Sequence, residues 1–372
     1  MLYIHQLKQW PQFQWDNDSV VVLLGEARNL QGRLMGKMES LGFNLQSEAM
    51  LNTITLDVLK SSEIEGEYLD INQVRSSVAR RLGIDIAGSV ETDRTVDGVV
   101  EMMLDATQNC NKALTAERLF AWHAALFPTG RRGMFKITVA DWRKDTKGPM
   151  QVVSGALGKE KVHFEAPAVD RVQEEMTVFI EWLNGHKDMD LVLKAAIAHL
   201  WFVTIHPFED GNGRMARAIT DMLLAQSDKS TRRFYSMSAQ IRIERKQYYA
   251  VLEKTQKGNL NITTWLTWFL NCLIHALQSS EKILANVLLK ANFWNSHAST
   301  LMNDRQQKML TLLLDGFKGK LTSSKWAQIA KCSKDTAIRD INDLITKHIL
   351  KKEQASGRST HYELIQPPPH HE

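Results

Sequence analysis

The stretch 205–218 reads IHPFEDGNGRMARA and governs the interpretation of the whole chain. Residues Gly211 to Gly213 lie where a helix is predicted to begin, so unpaired backbone N–H groups and the positive end of the helix dipole favour phosphate oxygens there. Asp210, directly before them, is an oxygen ligand of the kind that Mg²⁺ prefers. The composition of this stretch therefore predicts a site for phosphate groups and magnesium.

Three further side chains complete the predicted site. Arg214 and Arg217 are three residues apart and share one face of the helix, where both guanidinium groups can clamp phosphate oxygens. His206 has an ordinary pKa near neutral pH and suits proton transfer. Taken singly, a histidine before proline more often ends a helix, and Asp-Gly-Asn-Gly is a common turn. The stretch also scans as a dinucleotide-binding fingerprint, but that motif follows a strand, whereas a helical pattern over 191–205 precedes this one.

The segment HPFEDGNGRMAR resembles the signature of the Fic family, H-x-F-x-D/E-G-N-G-R-x-x-R, with every specified position filled. The resemblance covers residues 1–290 and implies a helical core that moves AMP from ATP onto a Ser, Thr or Tyr hydroxyl of a protein target. The variant of the family that phosphorylates its target has lysine and a different loop in place of GNGR. The resemblance gives these residues their roles: a catalytic base at His206, a Mg²⁺ ligand at Asp210, an anion-holding segment from Gly211 to Gly213 with Asn212 contributing, and phosphate contacts at Arg214 and Arg217.

Between residues 142 and 167 the pattern changes from helical to β-prone. Glycine and proline punctuate two short pieces, 151–153 and 161–164, which predicts a hairpin. Its position resembles the flap of Fic proteins, which pairs with an extended segment of the target and aligns the modified residue. The alternative is a hairpin that only covers a hydrophobic core.

Upstream, the segment SSEIEG from Ser61 resembles the inhibitory motif of the family, S/T-x-x-x-E-G/N. The resemblance implies that Glu65 pairs with Arg217 and keeps ATP from binding productively. Ser62 and Glu65 could instead form a capping box, but the helical pattern ends here rather than begins. For the adenine, the layout of the family points to Tyr249, although aromatic residues at helical spacing otherwise indicate core.

Apolar residues recur every three or four positions along most of the chain, which predicts a mainly α fold. The expected architecture is a helical Fic core with a β-hairpin flap, plus a C-terminal winged helix-turn-helix domain. The predicted helices cover 20–41, 48–64, two stretches within 89–126, 169–184, 191–205, 214–226, 245–255 and 262–295. The predicted parts are a helical region over 1–100 that carries the inhibitory motif, the Fic catalytic core over 101–290, the winged helix over 300–365 and a flexible tail over 366–372.

The winged helix is predicted from three helices, over 305–314, 323–330 and 333–348, followed by β-prone pieces at 349–353 and 360–364. Residues 305–365 hold 12 Lys or Arg against 6 Asp or Glu, so the module suits contact with DNA or with a protein. The basic candidates for such contact are Lys331, Lys334, Arg339, Lys351, Lys352 and Arg358, with Thr336 beside them. Three acids of the third helix would repel DNA phosphates: Asp335, Asp340 and Asp343.

The 372 residues are 44% hydrophobic and 24% charged, as in ordinary globular proteins. No apolar run is long enough to span a bilayer and no secretion signal is apparent, so we expect a cytoplasmic protein without membrane contact. Expected partners are ATP and a protein target on the flap, and a homodimer is left open. Two rival functions use the same residues: a DNA-binding regulator whose Fic domain senses nucleotide, and removal of AMP from a modified protein by the same metal site with Glu65.

Overall fold

Helices dominate the chain, as the periodicity predicts. The computed structural model describes residues 2–39, 41, 43–86, 89–144, 148–155, 159, 161–185, 188–314, 317, 319–353 and 360–365. The chain divides into two units, Met1–Ile283 and Leu284–Glu372. Within the described residues, no helix combines the length and the apolar character needed to cross a membrane.

The helices of the first unit follow the predicted order, with two additions. They are α1 (Asn17–Glu39), α2 (Phe43–Ile64), α3 (Ile71–Leu82), α4 (Arg94–Gln108), α5 (Ala116–Leu126), α6 (Val169–Gly185), α7 (Leu191–Ile205), α8 (Asn212–Ser227), α9 (Met237–Ile243), α10 (Arg245–Gln256) and α11 (Thr263–Ser296), whose last residues fall in the second unit. Helices α3 and α9 were not predicted. The ends of α3 nevertheless carry residue types that are typical of helix caps. Asp70 accepts from the amides of Asn72 and Gln73 at the start, and Gly83 ends the helix in the left-handed region.

Helix α7 is the core element that carries the signature. Its residues are buried from Val192 to Ile205, because the segment is apolar on every side. Asp190 caps its start by accepting from the amides of Val192 and Leu193. Helix α8 packs against α7 and is likewise buried along most of its length. The loop between the two helices, residues 206–211, is therefore held at both ends by core helices.

Two hairpins separate α5 from α6. The first is short and pairs β1 (Arg131–Arg132) with β2 (Phe135–Lys136). The second pairs β3 (Gln151–Ser154) with β4 (Lys161–Glu165) in antiparallel register, with an irregularity after Val152. It is the hairpin predicted from the sequence, and we call residues 142–167 the flap; part of its tip lies outside the described residues.

The second unit has the predicted element order of three helices followed by two strands. These are α12 (Asp304–Leu314), α13 (Ser323–Ile329), α14 (Lys334–Thr346), β5 (Leu350–Glu353) and β6 (His361–Leu364). Trp326, Ile341 and Leu344 are fully buried within a shared apolar cluster. The winged-helix assignment itself stays a prediction, and Arg358 and the tail over 366–372 lie outside the described residues.

Candidate active site

His206 is the residue at which α7 ends. Its backbone adopts the left-handed conformation, with φ 54° and ψ 56°, and its N–H donates to the carbonyl of Phe202 at 3.0 Å. The ring Nδ1 lies 3.2 Å from the carbonyl of Val203. Because a carbonyl only accepts, Nδ1 carries the proton and Nε2 keeps its lone pair. Burial lowers the pKa of His206 to about 4, with the Arg143 cation acting in the same direction. The imidazole is therefore neutral at pH 7 and able to take up a proton at Nε2.

The loop after His206 turns on its own side chains. The N–H of Phe208 donates to Asn212 Oδ1 at 3.0 Å, and Asn212 Nδ2 donates back to the Phe208 carbonyl at 2.8 Å. The side chain of Asn212 thus closes the loop. Gly211 precedes α8 with φ 81°, a conformation that other residues rarely adopt.

Both arginines of α8 are buried and paired with acids from beyond the end of α2. Arg217 Nη2 donates to Glu65 Oε1 at 2.8 Å, and Arg217 Nε and Nη2 donate to the hydroxyl and carbonyl of Ser61 at 2.9 Å each. Arg214 Nη1 donates to Glu67 Oε2 at 2.6 Å. The sequence-based pairing of Glu65 with Arg217 is thus present as a contact, and the contact of Glu67 with Arg214 was not predicted.

The same two guanidinium groups have donors to spare. Among the described residues, Arg214 Nε and Arg217 Nη1 are buried without a hydrogen-bond partner. Glu65 lies against the start of α8: a Cβ placed on Gly213 would fall 2.1 Å from Glu65 Oε1. An acidic oxygen thus lies against the first turn of the helix, next to unsatisfied cationic donors, an arrangement that is able to accept an anion.

Asp210 directly precedes Gly211, the N-cap residue of α8. Its Oδ1 accepts from the N–H of Gly211 at 2.7 Å, and its Oδ2 lies 3.0 Å from Nε of the exposed Arg132. An exposed arginine can leave, so one oxygen of Asp210 is open to exchange for a cation. The carboxylate is of the hard, oxygen-donor type that suits Mg²⁺.

A second histidine, His123, contacts the loop between α7 and α8. The N–H of Ala140 donates to His123 Nδ1 at 3.4 Å, and His123 Nε2 lies 3.2 Å from the carbonyl of Asp210. The His123 ring also stacks on Phe208, with centroids 4.2 Å apart. Burial lowers the pKa of His123 to about 4, so the neutral ring donates from Nε2.

Thr138 also contacts the signature loop. Its N–H and hydroxyl donate to the carboxylate of Glu209 at 3.1 and 2.6 Å.

Tyr249, the candidate for the adenine, is partly exposed on α10. The Arg245 guanidinium lies 5.2 Å from its ring centroid, and the buried Tyr248 lies beside it. Burial raises the pKa of Tyr249, and the charges of Glu65 and Arg217 also act on it. The structure thus brings Tyr249 to the neighbourhood of the predicted site, and its contact with adenine stays a prediction.

Four residues of the site region were missed by the sequence reasoning: Glu67, His123, Arg132 and Arg143. Each contacts the signature or its arginines from a distant part of the chain. Glu67 had the clearest local signal, since it is an acid two residues past Glu65 in the same turn. The others carry no local pattern that separates them from ordinary charged or core residues.

These observations define a class: a mainly helical domain in which buried cationic donors, an acidic side chain and a neutral imidazole meet around one loop. Residues 113–224 match the Fic/DOC family, and residues 3–84 match a domain of unknown function, DUF4172. The chain therefore contains a Fic domain preceded by a DUF4172 domain.

Known relatives agree with this assignment. The chain is 34% identical over 99 residues to protein adenylyltransferase fic-1 of Caenorhabditis briggsae, covering 26% of this chain and 18% of the relative. It is 24% identical over 208 residues to protein adenylyltransferase Fic of Drosophila mojavensis, covering 55% of this chain and 37% of the relative. The chain thus spans 18% to 37% of the length of these curated relatives. The crystal structure of a Fic family protein from Desulfovibrio desulfuricans G20 shares the fold, with a TM-score of 0.54 and 21% identity, over 95% of this chain and 98% of the other.

Proposed function

We propose that this chain transfers AMP from ATP to a hydroxyl group of a protein target, with His206 as the general base. The observation that carries the proposal is the pair of unsatisfied donors, Arg214 Nε and Arg217 Nη1, buried beside the first turn of α8. An unpaired buried charged donor costs free energy, and the phosphates of a nucleotide would satisfy it. The names of the relatives, protein adenylyltransferases, support the same reaction.

Asp210 would hold the Mg²⁺ that such chemistry uses. A single carboxylate beside bound phosphates suits this ion, which keeps several of its waters. When bound, the ion would neutralise charge on the phosphates. Loading requires Arg132 to release Asp210 Oδ2, which its exposed position allows.

In the proposed reaction, His206 Nε2 removes the proton from the target hydroxyl, and the hydroxyl oxygen attacks the α-phosphorus of ATP. The bond from that phosphorus to the oxygen bridging the β-phosphorus breaks, and its electron pair leaves with pyrophosphate. Arg214 and Arg217 offset the charge of the leaving group. The proton then passes from the imidazole to solvent or pyrophosphate, which restores the neutral ring.

The flap would align the target through the outer edge of β3. Strand β4 contacts other parts of the first unit: the carbonyl of Glu165 lies 2.9 Å from His5 Nε2, and His163 Nδ1 lies 2.6 Å from Glu253 of α10. In the described residues β3 pairs with β4 alone, so its second edge offers backbone groups to an extended segment. Pairing of this kind fixes register without reading much sequence.

Glu65 would hold the enzyme in a low-activity state. Its carboxylate occupies one arginine that the proposed mechanism needs, and Glu67 occupies the other. A nucleotide must therefore displace acids before both guanidinium groups can contact its phosphates. Ser61 keeps Arg217 in place throughout, since its hydroxyl and carbonyl accept from the guanidinium independently of Glu65.

The test is incubation with Mg²⁺ and ATP labelled at the α-phosphorus, followed by detection of protein-bound label on the chain itself and on lysate proteins. We expect label from Glu65→Gly above that from wild type, and none from the same chain carrying His206→Ala. ATP labelled at the γ-phosphorus is the matched control and should leave no label. Labelling from the γ-phosphorus would contradict AMP transfer, and equal labelling by Glu65→Gly and wild type would contradict inhibition by Glu65.

We also propose that the second unit binds DNA, because two of the three acids expected to repel it are neutralised. Asp340 is buried and pairs with Arg305 at 2.8 Å, and Asp343 accepts from Lys347. Lys334 and Arg339 remain exposed on α14. The full chain should retard duplex DNA in a gel at low salt and lose affinity steeply as salt rises. Unchanged binding by the charge-reversed double variant Lys334→Glu, Arg339→Glu would refute this.

A further inference from the structure

Arg143 is a buried arginine, 2% exposed, in the segment of the flap that precedes β3. Its backbone N–H donates to the carbonyl of Pro207 at 2.9 Å. Its Nε donates to the carbonyl of His206 at 2.9 Å. The segment is thereby bonded to the two residues at which α7 gives way to the signature loop.

The same guanidinium also reaches the far end of the flap. Arg143 Nη2 donates to the carbonyl of Pro167, the last residue of the flap. One residue before it, the N–H of Ala166 donates to the carbonyl of Met150 at 2.9 Å and closes the base of the hairpin. One rigid, planar group therefore bonds both the backbone of His206 and the base of the flap.

We propose that Arg143 is a positioning residue that sets the separation between the His206 imidazole and the flap strand on which the target hydroxyl is aligned. This inference rests on the proposed function. A target paired with β3 is fixed relative to the flap, whereas the base is fixed relative to the signature loop. Proton removal requires the imidazole and the target hydroxyl to lie about 3 to 3.5 Å apart. A group that bonds both the signature loop and the flap therefore determines whether this distance is reached.

The chemistry of arginine suits this role better than that of lysine. A guanidinium holds several N–H donors in a fixed fork, so its two acceptors keep a set spacing. A lysine ammonium at the same position keeps the charge but is a single point on a flexible stem.

The experiment compares two reactions of one enzyme. In the Glu65→Gly background, Arg143→Lys is assayed for protein-bound AMP and, in parallel, for release of free AMP when water replaces the target hydroxyl. Water needs no alignment by the flap, so we expect protein-bound AMP to fall about 10²-fold while release of free AMP changes little. Affinity for the Mg²⁺ complex of ATP should stay the same, because Arg143 does not contact the arginines of α8.

Arg118→Lys is the matched control. Arg118 also donates to backbone carbonyls, at 2.9 Å to Lys112 and to Asp105, but lies on α5 away from the flap. It should lower the melting temperature without changing the ratio of the two reactions. If the Arg143→Lys chain does not fold, Arg143→Gln takes its place, since its amide reaches one carbonyl and not both.

The outcomes separate cleanly. Equal loss of both reactions, or no loss of either, would overturn the positioning role of Arg143 while leaving AMP transfer intact. If the Glu65→Gly parent forms neither protein-bound nor free AMP, the proposed function fails and the inference falls with it. A selective loss of protein-bound AMP supports both.

Discussion

The acids that pair with the two arginines of α8 should weaken nucleotide binding by different amounts. Arg217 is 1% exposed and its partner Glu65 is 31% exposed, so their bond is largely shielded from water. Hydrogen bonds between charged groups of this kind contribute about 1.5 to 3 kcal/mol. Since 1.4 kcal/mol is tenfold in affinity, Glu65→Ala should tighten nucleotide binding by about 10-fold to 150-fold.

Glu67 should have a smaller effect in the same direction. Its side chain is 40% exposed, so water screens its bond to Arg214, and pairs of this exposure contribute about 0.2 to 1 kcal/mol. Glu67→Ala should therefore tighten binding by no more than about 5-fold. Removal of both acids should exceed either single change.

The measurement is titration calorimetry with an ATP analogue that carries a methylene between the α- and β-phosphorus atoms, so that no transfer occurs. Glu63→Ala is the control, because Glu63 lies in the same turn but pairs with Lys60 at 2.6 Å. Its affinity should match that of wild type. If Glu65→Ala bound the analogue no more tightly than Glu63→Ala, the acids would not compete with phosphate, and the reasoning would be wrong.

Three further predictions concern the metal, stability and packing. Asp210→Asn should raise the Mg²⁺ concentration needed for half-maximal AMP transfer, and an unshifted requirement would remove Asp210 as a ligand. Burial lowers the pKa of His123 to about 4 and that of His199 to about 3, so as the pH falls below 6.5 the unfolded chain takes up protons that the folded chain does not. Each histidine should therefore lower the free energy of unfolding by about 2 kcal/mol between pH 7 and pH 5. His123→Gln should make the urea midpoint less dependent on pH. Gly98→Ala should destabilise the protein by about 3 kcal/mol, because a Cβ there would fall 1.8 Å from a backbone oxygen of α5. A Cβ on Gly32 would meet open space, so Gly32→Ala should stabilise the protein by up to about 1 kcal/mol. Equal melting temperatures for the two variants would contradict this packing.

The parts of the structure that the sequence predicts well are those with local patterns. The apolar run of α7, the flap hairpin and the start of α8 near Gly211 each depend on neighbours in the chain. Helices α3 and α9 were missed although α3 has a capping aspartate and a terminal glycine. Helix α9 has only seven residues, so few apolar positions reveal its period, whereas the apolar residues of α3 recur at helical spacing and could have been recognised.

The tertiary contacts of the site were harder to predict. Whether an acid such as Glu67 meets Arg214 depends on how α2 packs beside α8, and no local signal encodes that distance. Asn212 shows the same limit, because the resemblance implies a part in holding anions but does not reveal that its side chain bonds the backbone of Phe208. Arg143 carries no motif, and its burial emerges only from the assembled fold.

Helix α7 is buried from Val192 to Ile205, and His206 directly follows its last residue. Amides in such a segment exchange with solvent only through large openings of the domain, so we expect them among the slowest in hydrogen exchange. A base mounted there loses little freedom when substrate arrives. We therefore expect any control of activity to act through the turn after α2, which carries Glu65 and Glu67, and not through movement of His206.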